Sequence, residues 1–489
     1  MRYSEGLSSH MAHFLDTIVL SLALICHTHT FEEPTIIPDR LHFQILFADI
    51  RMRKVWKFLA SQPQLAKSVR SIKLSSRSII KAEDLPPVLS GLAETAPQHV
   101  PVSNRDIAFL KSAVLHMSLL KEISWSYLSR ISPQQLIDIS HALTTSAHCL
   151  EGLSINLFHL KTIIRDQQQM KRLSIWSLTS LKRVALRSQS PSPDAIRMIL
   201  SCPDIEDLYS CATSHSNTFP FYMMQQANWT KLRRLWLQPL FLSNGEERGM
   251  DIPAIITSFF VRHPNIECLY FGVSSDTPVP TLPPSSLPKL RSLSTSSLTM
   301  VTFLLSKSVI SRLVHLTCTV AYFDNNTLPQ MDKLESLCLF ANGLNGPDLI
   351  HLFLSRAPNL KKISLSIRKK EVPDPSNWGC IRTKWPVRLW DKDAQDQYTE
   401  LFLKYPQSKL THIYIGSPLI TGGDHDSVKI QIGTLCEKLS ALQALKYVHV
   451  NPDHVELERD ENGAYSGYHF LSHGDTEYSS SWGGFFSDF

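Results

Sequence analysis

The segment Ala357-Pro-Asn-Leu-Lys-Lys-Ile-Ser-Leu365 contains the pattern on which most of this chain is built. Its apolar residues are Leu360, Ile363 and Leu365, separated by two variable positions and then by one. We call these three positions the first, second and third anchors. The alternation at the end of the pattern predicts a short strand with one buried face.

The same anchors recur from near one end of the chain to the other. Ten further copies are complete: Val69/Ile72/Leu74, Leu120/Ile123/Trp125, Leu150/Leu153/Ile155, Leu181/Val184/Leu186, Leu232/Leu235/Leu237, Ile266/Leu269/Phe271, Leu313/Leu316/Cys318, Leu334/Leu337/Leu339, Leu410/Ile413/Ile415 and Leu445/Val448/Val450. Two copies have a polar third anchor: Ile205/Leu208/Ser210 and Leu290/Leu293/Thr295. Thirteen copies in one chain predict a repeat protein.

The sequence between the anchors predicts helices. Four segments begin with proline, two of them after a capping serine: Ser132-Pro133, Ser192-Pro193, Pro253 and Pro347. Three of these segments end near a proline that precedes the next strand: Pro203, Pro264 and Pro358. A strand followed by a return helix predicts an α/β solenoid, a curved horseshoe with strands inside and helices outside. A purely helical solenoid does not explain segments such as Ile413-Tyr-Ile415.

Composition excludes several classes of protein. The 489 residues are 43% hydrophobic and 19% charged, and the net charge of +5 is too mild to predict a nucleic-acid partner. The apolar run Phe14–Cys26 is too short to span a bilayer, which needs about 20 residues, and it contains Asp16 and no clear cleavage site. Nine cysteines without CxxC pairs indicate buried thiols in a reducing compartment. We therefore expect no membrane partner and a cytoplasmic or nuclear location.

No motif of an enzyme is present in the sequence. Phosphate-binding glycine loops, nucleophile elbows and HExxH helices are all absent. Cys26-His-Thr-His29 lacks a second pair of metal ligands, so a polar helix end is the favoured interpretation. Gly422-Gly-Asp-His-Asp426 is interpreted as a flexible turn between repeats. We predict no catalytic residue, no metal and no cofactor.

The variable positions around the second anchor predict a binding surface. Neighbouring side chains of a strand alternate, so these positions project away from the core, onto the concave face. Tyr209, Trp236 and Tyr270 follow the second anchors of three successive repeats, and Arg183 and Arg234 directly precede second anchors. Tyrosine, tryptophan and arginine are enriched among interface hot spots, so these five residues are the candidate protein-binding site. Two alternatives remain: the protein's own loops cover them, or they only favour strand formation.

The N-terminal part resembles a known family. Leu15-Asp16, followed by Val19-Leu20-Ser-Leu22-Ala-Leu24-Ile-Cys26, resembles the second half of an F-box. The stretch Val55–Leu74 is similar to the linker of fungal F-box/leucine-rich-repeat-like proteins. The resemblance implies a leucine-rich-repeat-like solenoid that holds a protein substrate. It also implies that Leu15, Leu20, Leu22 and Leu24 contact the Skp adaptor, which joins the cullin scaffold of an SCF-type ubiquitin ligase.

The resemblance is incomplete, and it suggests three regions. The usual F-box opening, Leu-Pro-x-Glu, has no counterpart in Met1–His10, so the F-box is truncated or degenerate. We expect a helical F-box-like region and linker at 1–66, an irregular repeat solenoid at 67–450, and a tail at 451–489. The tail is rich in glycine, serine and aromatic residues, with eight acidic residues against one basic, and is expected to be largely disordered.

Two functions fit this organisation. The first is a non-catalytic substrate-recognition subunit of an SCF-type ubiquitin ligase. The alternative is a stand-alone leucine-rich-repeat scaffold in which the F-box is a relic without a ligase role.

Overall fold

The computed structural model divides the chain into two compact units. One comprises Met1–Ser188 and Ser192–Cys202, and the other comprises Gln189–Pro191 and Pro203–Phe489. The residues that the structure describes are 46–75, 85, 87–92, 101–126, 131–156, 167–188, 192–212, 219–240, 250–273, 280–295, 301, 305–320, 328–342, 346–368, 392–406, 408–416, 425–450 and 453–471.

The first unit contains five parallel strands in chain order, each paired with the next. The strands are β1 Leu46–Asp49, β2 Ser71–Ser75, β3 Glu122–Ser126, β4 Gly152–Asn156 and β5 Arg183–Ser188. Its helices are α1 Arg53–Ser61, α2 Pro63–Ser68, α3 Pro87–Ser90, α4 Asn104–Leu115, α5 Pro133–Ser146, α6 Gln167–Lys171 and α7 Pro193–Leu200, with a 3-10 turn at Ser174–Ser177. Helices of successive repeats pack against one another and form a second layer.

The second unit continues the same plan. Its parallel strands are β6 Asp207–Ala212, β7 Arg234–Leu240, β8 Cys268–Val273, β9 Ser292–Thr295, β10 His315–Val320, β11 Ser336–Asn342, β12 Lys362–Arg368, β13 His412–Gly416 and β14 Tyr447–Val450. An antiparallel hairpin follows, β15 Asp453–Arg459 and β16 Tyr465–Phe470. The helices are α8 Phe219–Gln226, α9 Ile252–Arg262, α10 Lys307–Ile310, α11 Gly346–Arg356, α12 Lys392–Leu403 and α13 His425–Leu439.

The thirteen predicted anchor copies coincide with strands β2–β14. Every first and second anchor is at most 2% exposed. The polar third anchors Ser210 and Thr295 are also buried, at 4% and 5%. Burial of aligned apolar residues from successive repeats is what holds such a stack together, because one repeat alone cannot bury its apolar face. The prediction of an α/β leucine-rich-repeat solenoid is confirmed.

Backbone hydrogen bonds tie each repeat to the next at one recurring position. The carbonyl oxygen of Glu335, which follows the first anchor Leu334, accepts the N–H groups of Lys361 and Lys362, both at 2.9 Å. The equivalent carbonyl accepts two N–H groups of the following repeat at Arg70, Lys121, Glu151, Glu206, Arg233, Glu267, Arg291, Val314, Lys361 and Thr411. These paired bonds set the register at the start of each parallel strand.

The predicted helix starts are present where the sequence placed them. The Ser132 hydroxyl accepts the N–H of Gln135 at 3.3 Å, and the Gln135 side chain accepts the N–H of Ser132 at 2.9 Å. This reciprocal pair satisfies two amide groups that lack partners inside α5. Ser192 caps α7 in the same way, by accepting the N–H of Ala195 at 3.1 Å.

The predicted helical character of residues 1–66 is wrong at Leu46–Asp49, which form β1. Leu46, Ala48 and Ile50 are all fully buried, at alternate positions, and β1 pairs in parallel with β2. Leu46 and Ile50 are four residues apart, a spacing that a helix also fits, so periodicity alone does not distinguish the two. The repeat stack therefore begins before residue 67. Residues 1–45 lie outside the described part of the chain.

The predicted disorder of the tail is wrong for residues 453–470. Val455 and Leu457 of β15 are 1% and 6% exposed, and they alternate with Glu456 and Glu458. The Arg459 guanidinium donates to the Leu442 carbonyl at 2.8 Å, which fastens the hairpin to the preceding repeat. The charged and glycine residues of the segment obscure this two-residue alternation. Residues 472–489 lie outside the described part of the chain.

Two buried tryptophans of the first unit differ in one hydrogen bond. The indole N–H of Trp56 donates to the Asp49 carbonyl at 2.9 Å, whereas that of Trp125 has no partner in the described part of the chain. We expect Trp56→Phe to lower the free energy of unfolding by about 1–2 kcal/mol more than Trp125→Phe, since only Trp56 loses a hydrogen bond. Urea unfolding measures both changes, and equal losses would contradict the assignment.

Candidate protein-binding face

The residues on either side of each second anchor form two continuous rows on the surface of the sheet away from the helices. We call this surface of the second unit the strand face. The row after the second anchors runs, in aligned register, through Tyr209, Trp236, Tyr270, Ser294, Thr317, Cys338, Ser364, Tyr414 and His449. Because parallel register is maintained from strand to strand, residues far apart in sequence become neighbours.

Three predicted site residues form a stack of rings on β6–β8, which we call the aromatic ladder. The rings of Trp236 and Tyr270 lie 3.9 Å apart and are inclined by 5°, and those of Tyr209 and Trp236 lie 4.9 Å apart at 36°. Trp236 and Tyr270 are half-buried, whereas Tyr209 is only 7% exposed. Tyr209 therefore supports the ladder from one side, and the other two rings are the more accessible ones.

Arg234 lies beside the ladder and is held in place by Asp207. Its guanidinium donates two hydrogen bonds to the Asp207 carboxylate, at 2.7 and 2.5 Å. The Asp207 side chain is 7% exposed and that of Arg234 is 35% exposed. A two-pronged pair of this kind fixes the plane of the guanidinium, so Arg234 is preorganised for a further contact.

The fifth predicted residue, Arg183, lies in the first unit and not with the other four. It pairs with Glu122 of β3, although β4 lies between their strands. Gly152 of β4 makes this possible: a Cβ atom there would come within 3.0 Å of the Glu122 Cγ. Sequence reasoning found Arg183 but not its partner, because the partner depends on a glycine in the intervening strand.

The other predicted site lies outside the described residues. Leu15, Leu20, Leu22 and Leu24, which the F-box resemblance assigns to adaptor contact, are all within residues 1–45. Their assignment stays a prediction.

A second aromatic group lies on β13 and β14. The rings of Tyr414 and His449 stack at 4.1 Å with an inclination of 11°, and those of His412 and Tyr447 lie 4.8 Å apart at 35°. These residues occupy the same two rows as Arg234 and Trp236. Tyr414 and His449 were visible in the aligned sequence row, but they do not form a run of three hot-spot residue types as Tyr209, Trp236 and Tyr270 do.

Burial keeps several ionisable groups of this face uncharged at neutral pH. Burial lowers the pKa of His412 to about 4, and the nearby Lys362 and Lys446 act in the same direction. Burial also lowers the pKa of His315 and raises that of Tyr414. The Cys268 thiol has a pKa of about 11, again because of burial, so it is not a nucleophile near neutral pH.

The described residues contain no cluster of three or more histidine, cysteine, aspartate or glutamate side chains that could hold a metal ion. In the same residues, no helix has the length and apolar character needed to cross a bilayer. What the strand face offers is contact chemistry: flat rings, a fixed guanidinium and hydroxyl groups.

Comparison with known proteins leaves the family open. No protein-family model matches the sequence, and no curated protein matches it. Among solved structures, the chain is similar to one in the crystal structure of a Rad7 and Elc1 complex in yeast. That match has 11% identity and a TM-score of 0.37, and covers 76% of this chain and 96% of that one. It is also similar to one in a TLR13–ssRNA13 complex, with 16% identity and a TM-score of 0.26, covering 79% of this chain and 55% of that one. At these TM-scores neither likeness bears on function.

The Arg234–Asp207 pair is expected to stabilise the fold as well as orient Arg234. We expect Arg234→Ala to lower the free energy of unfolding by about 1–2 kcal/mol, because it leaves a nearly buried carboxylate without its partner. Arg233→Ala is the matched control. It removes an exposed pair with Glu267, at 3.0 Å, and should change stability very little. Equal effects in urea unfolding would show that burial of Asp207 does not matter.

Proposed function

We propose that this protein is a non-catalytic binding subunit that holds a partner protein on the strand face of its second unit. The observation that carries the proposal is the stacked Trp236–Tyr270 pair beside the fixed Arg234. Large flat rings bury much area and have few rotatable bonds, so little conformational entropy is lost when a partner covers them.

Exposure supports a contact role over a purely structural one. Tyr209 is nearly covered, but Trp236 and Tyr270 are only half-buried and Arg234 keeps 35% of its side chain accessible. Rings that served only to favour strand formation would not need a fixed arginine at their edge. The alternative, that the protein's own loops cover the patch, fits Tyr209 better than its two neighbours.

We further propose that the bound partner is a substrate for ubiquitin ligation. The support is the resemblance of Leu15–Cys26 to the second half of an F-box, whose apolar positions Leu15, Leu20, Leu22 and Leu24 would contact the Skp adaptor. The adaptor would then connect the repeats to a cullin scaffold. The second candidate is a stand-alone interaction scaffold in which the F-box-like segment has no ligase role.

Binding to the Skp adaptor distinguishes a ubiquitin-ligase subunit from a stand-alone scaffold. We expect the purified chain to co-elute with purified Skp adaptor in size-exclusion chromatography. Leu22→Asp should abolish the complex, because it places a charge in an apolar contact. Lys57→Asp, an exposed change within α1, serves as the control that keeps binding. If the unmodified chain fails to co-elute, the ligase role is wrong and the scaffold role remains.

Loss of partner binding on the strand face tests the broader proposal. We expect Trp236→Ala and Tyr270→Ala to reduce the recovery of bound partners from cell extract by about tenfold or more, as quantified by mass spectrometry. Tyr222→Ala is the matched control, because Tyr222 is 47% exposed on helix α8 and not on the strand face. If all three variants recovered the same partners in equal amounts, the binding surface would lie elsewhere.

A further inference from the structure

The two ends of the strand face differ in how their charges are paired. Around the aromatic ladder, cations are matched by anions: Arg234 with Asp207, and Arg233 with Glu267 at 3.0 Å. A third cation, Lys231, pairs with Asp204 at 2.8 Å. This part of the face therefore presents little net charge to a partner.

From β9 to β14 the cations are not all paired with anions. Lys361 pairs with Glu335 at 3.0 Å, but Arg291, Lys362 and Lys446 form no ion pair with any residue in the described ranges. We call these three residues the cationic strip. Arg291 and Lys446 are exposed and directly precede β9 and β14, and the half-exposed Lys362 is the first residue of β12. Arg291 lies near Glu267, whose pKa it helps to lower, but Arg233 already pairs with that carboxylate, so the cations of this stretch outnumber its anions.

The groups around the cationic strip do not cancel its charge. Lys362 lies beside His412 in the register of β12 and β13, and that imidazole is neutral near pH 7 because burial holds its pKa near 4. Glu456 of the terminal hairpin lies opposite Tyr447 in the same row and adds one carboxylate at that end of the strand face. The strip thus keeps a positive surface at physiological pH.

We call the row after the second anchors, between Tyr270 and Tyr414, the floor, and these two tyrosines the walls. Between Tyr270 and Tyr414 the floor positions carry only short side chains: Ser294, Thr317, Cys338 and Ser364. Ser294 and Ser364 are each 5% exposed, so their own side chains offer little contact area. Five strand intervals of about 4.8 Å separate the walls by about 24 Å, the length of about seven extended residues.

We propose that this part of the strand face binds an extended acidic segment of the partner protein, with carboxylates along Arg291, Lys362 and Lys446 and its ends against Tyr270 and Tyr414. The inference deepens the proposed function and rests on it. Charge complementarity supports an acidic occupant, because unmatched cations along one edge favour carboxylates and exclude a basic segment. A segment bound in this way would lie over the short floor side chains, between the walls.

The test uses the full chain and fluorescence anisotropy. The probe is a fluorescein-labelled peptide with a run of glutamates between two tryptophans, and its analogue has glutamines in place of the glutamates. We expect the glutamate peptide to bind about tenfold more tightly than the glutamine peptide, and to weaken by a similar factor when salt is raised from about 50 to about 300 mM. Unlabelled single-stranded oligothymidylate is the competitor, and it should not displace the glutamate peptide.

Charge-reversal variants test whether binding of the glutamate peptide depends on the cationic strip. Lys362→Glu combined with Lys446→Glu should weaken the glutamate peptide by about tenfold and leave the glutamine peptide unchanged. Lys307→Glu is the matched control, because Lys307 is an exposed cation at the start of helix α10 and should alter neither peptide. Circular dichroism confirms that the variants remain folded.

Three results would overturn the inference: equal affinity for both peptides, no binding of the glutamate peptide at millimolar concentration, or displacement by the oligonucleotide. None of these decides the proposed function, which depends on Trp236. If Trp236→Ala still abolished partner recovery while the charge reversals had no effect, the binding role would stand and the acidic segment would be wrong.

Discussion

The paired hydrogen bonds at the start of each strand are the constraint on which the rest of the structure depends. At eleven of the thirteen first anchors, the carbonyl directly after the anchor accepts two N–H groups of the following repeat. This fixes the parallel register, so that Leu337 lies opposite Ile363 and Cys338 opposite Ser364. Side chains alternate between the two faces of a strand, and a slip of one residue would send every anchor to the solvent side. The strand register therefore determines both the burial of the anchors and the continuity of the surface rows.

The parallel pairing of the strands also leaves an open strand edge at the end of the stack. Every parallel strand leaves one edge for the next, and an uncovered edge is a template for association with other chains. The β15–β16 hairpin covers the edge of β14 by pairing antiparallel with it. Its buried Val455 and Leu457 continue the apolar layer, while Glu456 and Glu458 lie on the other side.

The structural features that depend on local periodicity were predictable from the sequence. The anchors of β2–β14 and the serine–proline helix starts follow from short patterns, and burial or capping bonds account for each of them. β1 was missed because its Leu46 and the following Ile50 fit helical spacing as well. β15 was missed because composition was averaged over the whole tail, which concealed two alternating residues. The Glu122–Arg183 pair was not predictable, since it depends on the absence of a side chain at Gly152 in the strand between them.

The anchors stabilise the fold, whereas the surface rows carry the residues proposed for recognition. In the aromatic ladder, side chains of the surface rows also contact one another. The anchors are committed to the core, so residues in the surface rows can change without loss of the stack. The rings of Trp236 and Tyr270 nevertheless stack on each other at 3.9 Å, and Asp207 fixes Arg234 beside them. These side chains therefore lose their rotamer freedom when the chain folds, before any partner binds. Under the proposed function, a partner that covered these groups would meet an ordered surface and lose less conformational entropy, because the register of the core strands has already positioned the side chains.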